Sequence, residues 1–267
     1  MNKTILIRGG LLTKNNIVHI DEVVYNIRKW FDGEVVVSTW SGQEHLLPSN
    51  LLIDKVVYTD DPGPGPVGNI KRQVLSMMEG LKHCSGEMVL SIRPDILLTK
   101  DIFAEYYEIP YKNEISKIFK NRILTCSHMS IDKDNFYDAP EHARYFRISD
   151  WLHLGHKEDL VKMCDILEIF DGLEQDKIVN NGWYQYKNCG CCEQFWGLCL
   201  IKKYFQDFNL CDIESIKEIH YNYICNNFII KNTMSDLGAL NITWDFQPED
   251  THFYITKEKY EKYYDNQ

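Results

Sequence analysis

Arg93 and Asp95 close the apolar run Met88-Val-Leu-Ser-Ile-Arg-Pro-Asp95, and their types bear directly on chemistry. A strand-end carboxylate offers hard oxygens to a divalent cation, Mn2+ or Mg2+, and such an ion neutralises charge building on a leaving group. A guanidinium in the same place grips phosphate oxygens through parallel N–H donors and does the same without a metal. Asp95 thus carries oxygens suited to a cation and Arg93 donors suited to an anion. The segment just before them adds Asn69 and Arg72, with Lys71-Arg72 near a helix start where a diphosphate is well received. Arg72 has an alternative role as an ion-pair partner.

These residues need elements to position them. Thr4-Ile-Leu-Ile7 predicts a buried strand that stops at Arg8-Gly9-Gly10. Ile17, Ile20, Val24, Ile27 and Phe31 recur at spacings of three and four, which predicts a helix closed by Asp32-Gly33 with glycine as a left-handed C-cap. Glu34 to Ser38 and Lys55 to Tyr58 predict strands that run into the loops Thr39-Trp40-Ser41-Gly42 and Thr59 to Pro66. A helix resumes after Gly68 with Ile70, Val74, Met77 and Leu81 on one face and Asn69, Arg72, Gln73 and Ser76 on the other. Ser85-Gly86 then turns the chain into Met88 to Ile92.

Strands separated by such helices specify an α/β fold with a central mixed, mainly parallel sheet, which binds ligands beyond the carboxyl ends of its strands. Arg8, Trp40, Asp60 and Asp95 should share that edge. Gly9 would let a ligand approach the backbone, so Arg8 and Gly9 join the nucleotide-site candidates. Further on, Arg122 to Thr125 and Arg144 to Ile148 predict strands, Asp159 to Phe170 and Glu193 to Tyr204 predict helices, and Gly155 reads as a turn. Residues 1–205 are expected to form the catalytic domain, with 206–267 an extension packed on it.

Bulk properties narrow the classes. The 267 residues carry a formal net charge of −10, which argues against nucleic acid as a partner because phosphate binding needs a basic surface. The N-terminal apolar run is too short for a signal peptide, and no stretch approaches the roughly 20 apolar residues of a membrane span, so a cytoplasmic protein is expected. Nine cysteines are an odd count in a chain of this size, and reduced thiols are the expectation.

The block from Asn69 to Asp95, a helix, a small-residue turn and a strand ending in a carboxylate, resembles type-A-fold (GT-A) glycosyltransferases, whose corresponding strand ends in Asp-x-Asp. Arg93 and Asp95 stand where the two acids would be. Val36-Val-Ser-Thr-Trp-Ser-Gly-Gln43, Asp61-Pro-Gly63, Asn69-Ile-Lys-Arg-Gln73, Ser91-Ile-Arg-Pro-Asp95 and Ser149-Asp-Trp-Leu-His-Leu-Gly155 occur in this order. Together they resemble the WavE-type lipopolysaccharide-synthesis family over roughly residues 4–200. The resemblance implies a GT-A-like, Rossmann-type domain that moves a sugar from a nucleotide-sugar donor to a growing bacterial surface glycan, lipopolysaccharide or capsule. Its acceptor would be a glycan or lipid-linked glycan, with peripheral association at the inner membrane. Within that reading Arg8, Gly9, Trp40, Asp60, Asn69, Arg72, Arg93 and Asp95 are the nucleotide- and donor-site candidates, and the strand-end motif implies Asp95 as the metal ligand.

An inverting transferase needs a carboxylate near the acceptor hydroxyl to take its proton. Asp150, in Ser149-Asp150-Trp151, and Glu193 are the two candidates. Asp150 serves as well as a turn cap, and Glu193 as well as a complement to a helix dipole. Trp151 and His153 are placed at the acceptor, and Trp183 is a second aromatic platform. Cys189, Cys191 and Cys192 invite a zinc reading but lack paired Cys-x-x-Cys units. His220 reads as structural, and His252 as a late addition to a metal site. Two other functions suit the same architecture: a sugar nucleotidyltransferase, for which Arg8-Gly9-Gly10 is a poor phosphate loop, and a non-catalytic carbohydrate-binding or assembly protein.

Overall fold

The first, second and fourth strands are apolar runs with little polar interruption, as expected where a sheet is covered on both faces, whereas the third is an edge strand with Val56 and Tyr58 exposed. In the computed structural model β1 (Lys3–Arg8) sends Ile5 and Ile7 to one face, against α1 (Ile20–Arg28), and Leu6 to the other, against α2 (Ile70–His83). β2 (Glu34–Trp40) repeats the pattern, with Val35 and Val37 on the first face and Val36 on the second. This two-residue alternation builds two hydrophobic cores, one on each side of the sheet. The structure describes residues 1–11, 19–49, 52–63, 69–127, 145–172, 192–205, 213–231, 237–241, 255 and 257–265.

After β3 (Lys55–Thr59) and α2 the chain enters β4 (Met88–Ile92), then the short β5 (Ile96–Leu98), β6 (Ile123–Cys126) and β7 (Leu152–His156). Helices α3 (Lys157–Cys164), α4 (Leu167–Gly172), α5 (Cys192–Tyr204) and α6 (Ile213–Asn227) lead to β8 (Phe228–Lys231), β9 (Ala239–Asn241) and α7 (Lys257–Asp265). The central sheet has seven strands in the order β3-β2-β1-β4-β7-β6-β8. Strands β3, β2, β1 and β4 are parallel, β7 is antiparallel to both β4 and β6, and β6 is parallel to β8. One reversed strand in an otherwise parallel sheet gives the mixed, mainly parallel α/β architecture expected from the sequence. β5 and β9 form a separate antiparallel pair. The C-terminal stretch supplies β8 to the main sheet, and Tyr260 of α7 donates its hydroxyl to Phe228 O at 2.6 Å.

Several local expectations are corrected. Helix α1 ends at Arg28 rather than running to Phe31, and Gly33 is not among the positive-φ glycines. A Cβ on Gly33 would stand 2.5 Å from the Phe31 ring and 3.0 Å from Lys3 O, so glycine serves close packing there. The Phe31 ring turns away to stack on Phe103, with centroids 5.6 Å apart. Asp159 to Phe170 divides into α3 and α4 at Asp165-Ile166, because Asp165 leaves helical geometry with ψ 55°. Tyr145 to Ile148 is not a strand: Phe146 has φ +60°, a left-handed conformation costly for an aromatic residue. The strand beside β4 is Leu152–His156, and Gly155 lies inside it, opposite Val89.

Candidate functional site at the strand-end crevice

From β1 the chain works outward through β2 and β3, then returns on the other side of β1 to form β4. This reversal opens a crevice beyond the carboxyl ends of β1 and β4, the place where open α/β sheets receive ligands. Arg8 closes β1 on one side and Arg93-Pro94-Asp95 follows β4 on the other. Gly9 turns between them with φ +119°, donating its N–H to Ser38 O at 2.9 Å. A side chain on Gly9 would begin 3.5 Å from Pro94 Cδ.

Arg93 and Asp95 form a two-pronged pair. Nε donates to Oδ1 at 3.0 Å and Nη2 to Oδ2 at 2.8 Å. The Arg93 guanidinium lies 5.5 Å from the centre of the Trp151 ring, and Nη1 is 3.9 Å from Asp150 Oδ2. Asp95 and Asp150 are buried, whereas 24% of the Arg93 side chain meets solvent, so the cation is the part of this cluster that a ligand reaches first. The donor set does not fit a divalent cation. Both Asp95 oxygens accept from Arg93, the position of a first acidic ligand is that same arginine, and among the described residues no three His, Cys, Asp or Glu side chains gather around a common point. The arrangement fits an anion, held by a guanidinium whose orientation is already fixed.

Arg8 is 1% exposed. Its Nε donates to Ser91 Oγ of β4 at 3.0 Å, Nη1 to Gln73 Oε1 of α2 at 3.4 Å and Nη2 to Asp150 O at 2.5 Å, while its guanidinium lies 6.0 Å from the Trp196 ring of α5. One side chain thereby ties β1, β4 and α2 to the turn that carries Asp150. That turn is fastened elsewhere too. His153 Nε2 donates to Ser149 O at 2.7 Å, Trp151 N to Ser149 Oγ at 3.3 Å, and Arg93 N to Trp151 O at 3.2 Å. From α5, Gln194 donates to Tyr145 O at 3.3 Å, and Gly197 packs so tightly that an added Cβ would fall 2.1 Å from Phe146 O.

His153 is fully buried between β4 and β6, with its ring edge-on to Trp196 at 5.5 Å. Burial pushes its pKa down to about 3, and the nearby Arg8 charge works in the same direction against the hydrogen bond to Ser149 O. Glu193 lies in the first turn of α5 and is buried, one residue from Gln194 and three from Trp196. The structure therefore gathers Arg8, Gly9, Arg93, Asp95, Asp150, Trp151 and His153 at one crevice, with the helix of Glu193 behind it.

A second cluster lies past β3. Arg72 of α2 donates Nε and Nη2 to the two oxygens of Asp61 at 2.6 and 2.5 Å and reaches Asn69 Oδ1 at 3.3 Å. The Arg72 hydrogen bonds hold the Asp61 carboxyl below its ordinary value, outweighing partial burial. Asp61 rather than its neighbour Asp60 is the acid that engages Arg72, and Asp60 is exposed. Trp40 ends β2 and is 5% exposed. Trp183, His252, Cys189 and Cys191 lie outside the described residues, as does the side chain of Cys192.

Sequence reasoning missed Gln73, Ser91, Ser149 and Trp196 as parts of the site. Ser91 carried a signal, since a hydroxyl inside the run Met-Val-Leu-Ser-Ile must find a partner once buried.

No curated protein matches the chain. A family model described as WavE lipopolysaccharide synthesis matches residues 4–262, nearly the whole sequence, including every residue of the crevice. With that match and a strand-end crevice built from the motifs that carried the resemblance, the chain belongs to the WavE lipopolysaccharide synthesis family.

Proposed function

We propose that the protein transfers a sugar from a nucleotide-sugar donor to a glycan or lipid-linked glycan acceptor in lipopolysaccharide synthesis, with the donor diphosphate received at the crevice between β1 and β4. The observation that carries this reading is the partly exposed Arg93 guanidinium, clamped on two N–H groups by buried Asp95 at the point where strand order reverses. As the bond from the sugar carbon to the diphosphate oxygen breaks, negative charge grows on the leaving group, and a preoriented guanidinium stabilises it. The acceptor oxygen bonds to the same carbon and gives up its proton. Asp150 takes that proton, because it is the second carboxylate that reaches Arg93. Asp95 acts by fixing Arg93, and Trp151 supplies the apolar surface beneath the guanidinium.

Titration with uridine, guanosine and cytidine diphosphates and their sugar conjugates, with and without Mn2+, tests the reading. Binding of one nucleoside diphosphate by the wild type, lost in Arg93→Ala, is the expected result. Absence of binding under all of these conditions would remove the proposal. Donor turnover in Asp150→Asn and Glu193→Gln identifies the base: loss in the first with retention in the second supports Asp150, and the reverse moves the role to α5.

A further inference from the structure

We infer that Arg8 and His153 are positioning residues that hold the Asp150-Trp151 turn in one geometry, in place of the donor and acceptor contacts their residue types suggest. The inference rests on the reading of the crevice as the transfer site and deepens it. Residues 145–151 belong to no helix or strand, so their carbonyls have no ladder to join and must be satisfied by other groups. Two successive carbonyls are caught by buried side chains, Ser149 O by His153 Nε2 at 2.7 Å and Asp150 O by Arg8 Nη2 at 2.5 Å. The next, Trp151 O, is held by the Arg93 backbone at 3.2 Å. With its main chain held on both sides, the Asp150 carboxylate has little freedom beyond its own side-chain torsions.

Asp150 is as buried as Arg8 and His153, and what sets those two apart is that their hydrogen-bonding atoms are turned to groups of the protein itself. His153 is 0% exposed and Arg8 1%. A buried guanidinium is costly unless it is well bonded, and apolar side chains often pack in such a place at least as favourably. The three bonds from Arg8 to three separate elements give that charge a structural use. The histidine is committed in the same way. A carbonyl only accepts, so Nε2 carries the proton, while Nδ1 is buried without a partner among the described residues. A second proton would bury another N–H and a charge beside Arg8, so the ring stays a neutral, single-tautomer donor.

The test combines variants with the wild type. Arg8→Lys keeps the charge and loses the fork, His153→Leu removes the donor, and His153→Gln restores an amide donor. For variants that pass thermal melting and near-ultraviolet circular dichroism, affinity for the nucleoside diphosphate should stay within about twofold of the wild type. At the same time kcat should fall roughly 10- to 100-fold at unchanged donor KM in Arg8→Lys and His153→Leu, as expected when a reacting group is misplaced. His153→Gln should recover most of the loss. Wild-type kcat in Arg8→Lys and His153→Leu would overturn the inference, and so would loss of nucleotide affinity, which marks a direct contact.

The wild type supplies a measurement that depends on no variant. Nitrogen-15 spectra should show His153 as the Nε2–H tautomer, with no titration between about pH 5 and 8. Titration within that range would overturn the clamp. A wild type that binds no nucleoside diphosphate yet shows this locked imidazole would count against the transferase reading alone.

Discussion

Two arginine–aspartate forks stand beyond the carboxyl ends of strands in this protein, and they differ in everything but chemistry. Arg72 and Asp61, past β3, keep 30% and 36% of their side chains in solvent. Arg93 and Asp95, past β4, keep 24% and 5%, and their cation lies over Trp151 with Asp150 beside it. In water an ion pair is weakened by solvation and by the freedom of both side chains, so the first fork contributes little. In the second, the aspartate is fixed by burial and fixes the arginine, which holds the guanidinium in one orientation at the switch point of the sheet, where we propose that it receives an anion. Position and burial, rather than residue type, separate a surface tether from the centre of a site.

The largest effect that would sharpen this contrast comes from Arg93→Ala. Donor turnover should fall by about 100-fold or more, the scale of losing one preorganised donor to a developing oxyanion. Urea denaturation of the same variant should show a loss of roughly 2 kcal/mol, below the full figure for a broken buried pair because Arg93 is partly solvated. A stable, fully active Arg93→Ala protein would erase the difference between the forks.

Gly197→Ala should rank next. Its Cβ meets the backbone oxygen of Phe146, which cannot swing aside as a side chain would, so a destabilisation of about 1–3 kcal/mol is expected in thermal or chemical melting. Turnover should fall further than stability explains, since the displaced segment leads into Asp150.

Chelation with EDTA should leave the turnover rate unchanged, because Arg93 occupies the place and the charge-neutralising role of a cation. A loss reversed by Mn2+ would mean that Asp95 releases Arg93 to bind an ion, and the second fork would then be an inactive arrangement.

Arg72→Ala should have the smallest effect, within about 1 kcal/mol by denaturation. It also carries a sign. Arg72 lowers the Asp61 carboxyl from its ordinary 3.8, so the pair stabilises the fold above that pH, and the contribution is lost as pH falls below it through the depressed value. The variant should therefore lie slightly below the wild type near neutrality and converge with it in acid, where the pair no longer contributes. A penalty above about 2 kcal/mol at pH 7 would make the two forks energetically alike.

Legibility in the sequence followed the range of the interactions. Strands β1 to β4 and helix α2 were readable because each is long enough to display its burial pattern within one segment, and the adjacency of Arg8 and Asp95 followed from parallel topology. β7 was not readable: Leu-His-Leu-Gly-His offers a histidine at 153 and a glycine at 155 where a strand predictor looks for apolar or β-branched residues. Its place is set by pairing with β4 and β6, distant in sequence on one side. Tyr145 to Ile148 failed in the opposite sense, since a run rich in aromatic and β-branched residues was overridden by contacts from α5 and by the left-handed Phe146. Asp61 stood in the motif Asp61-Pro-Gly63, but that it rather than Asp60 meets Arg72 depends on where the backbone aims each acid.

The sequence by itself determined the α/β class, the strand that ends in Arg93-Pro94-Asp95, and the edge of the sheet on which Arg8 would meet it. All of these follow from short-range periodicity and from the fixed handedness of crossovers. The tertiary structure alone decided that Asp95 faces its own arginine, that Arg8 and His153 point inward to carbonyls of the Asp150 turn, and that Asp61 holds Arg72. Side-chain direction at a strand end depends on which distant backbone groups lack partners, and those groups come together only when the reversed strand closes against β4.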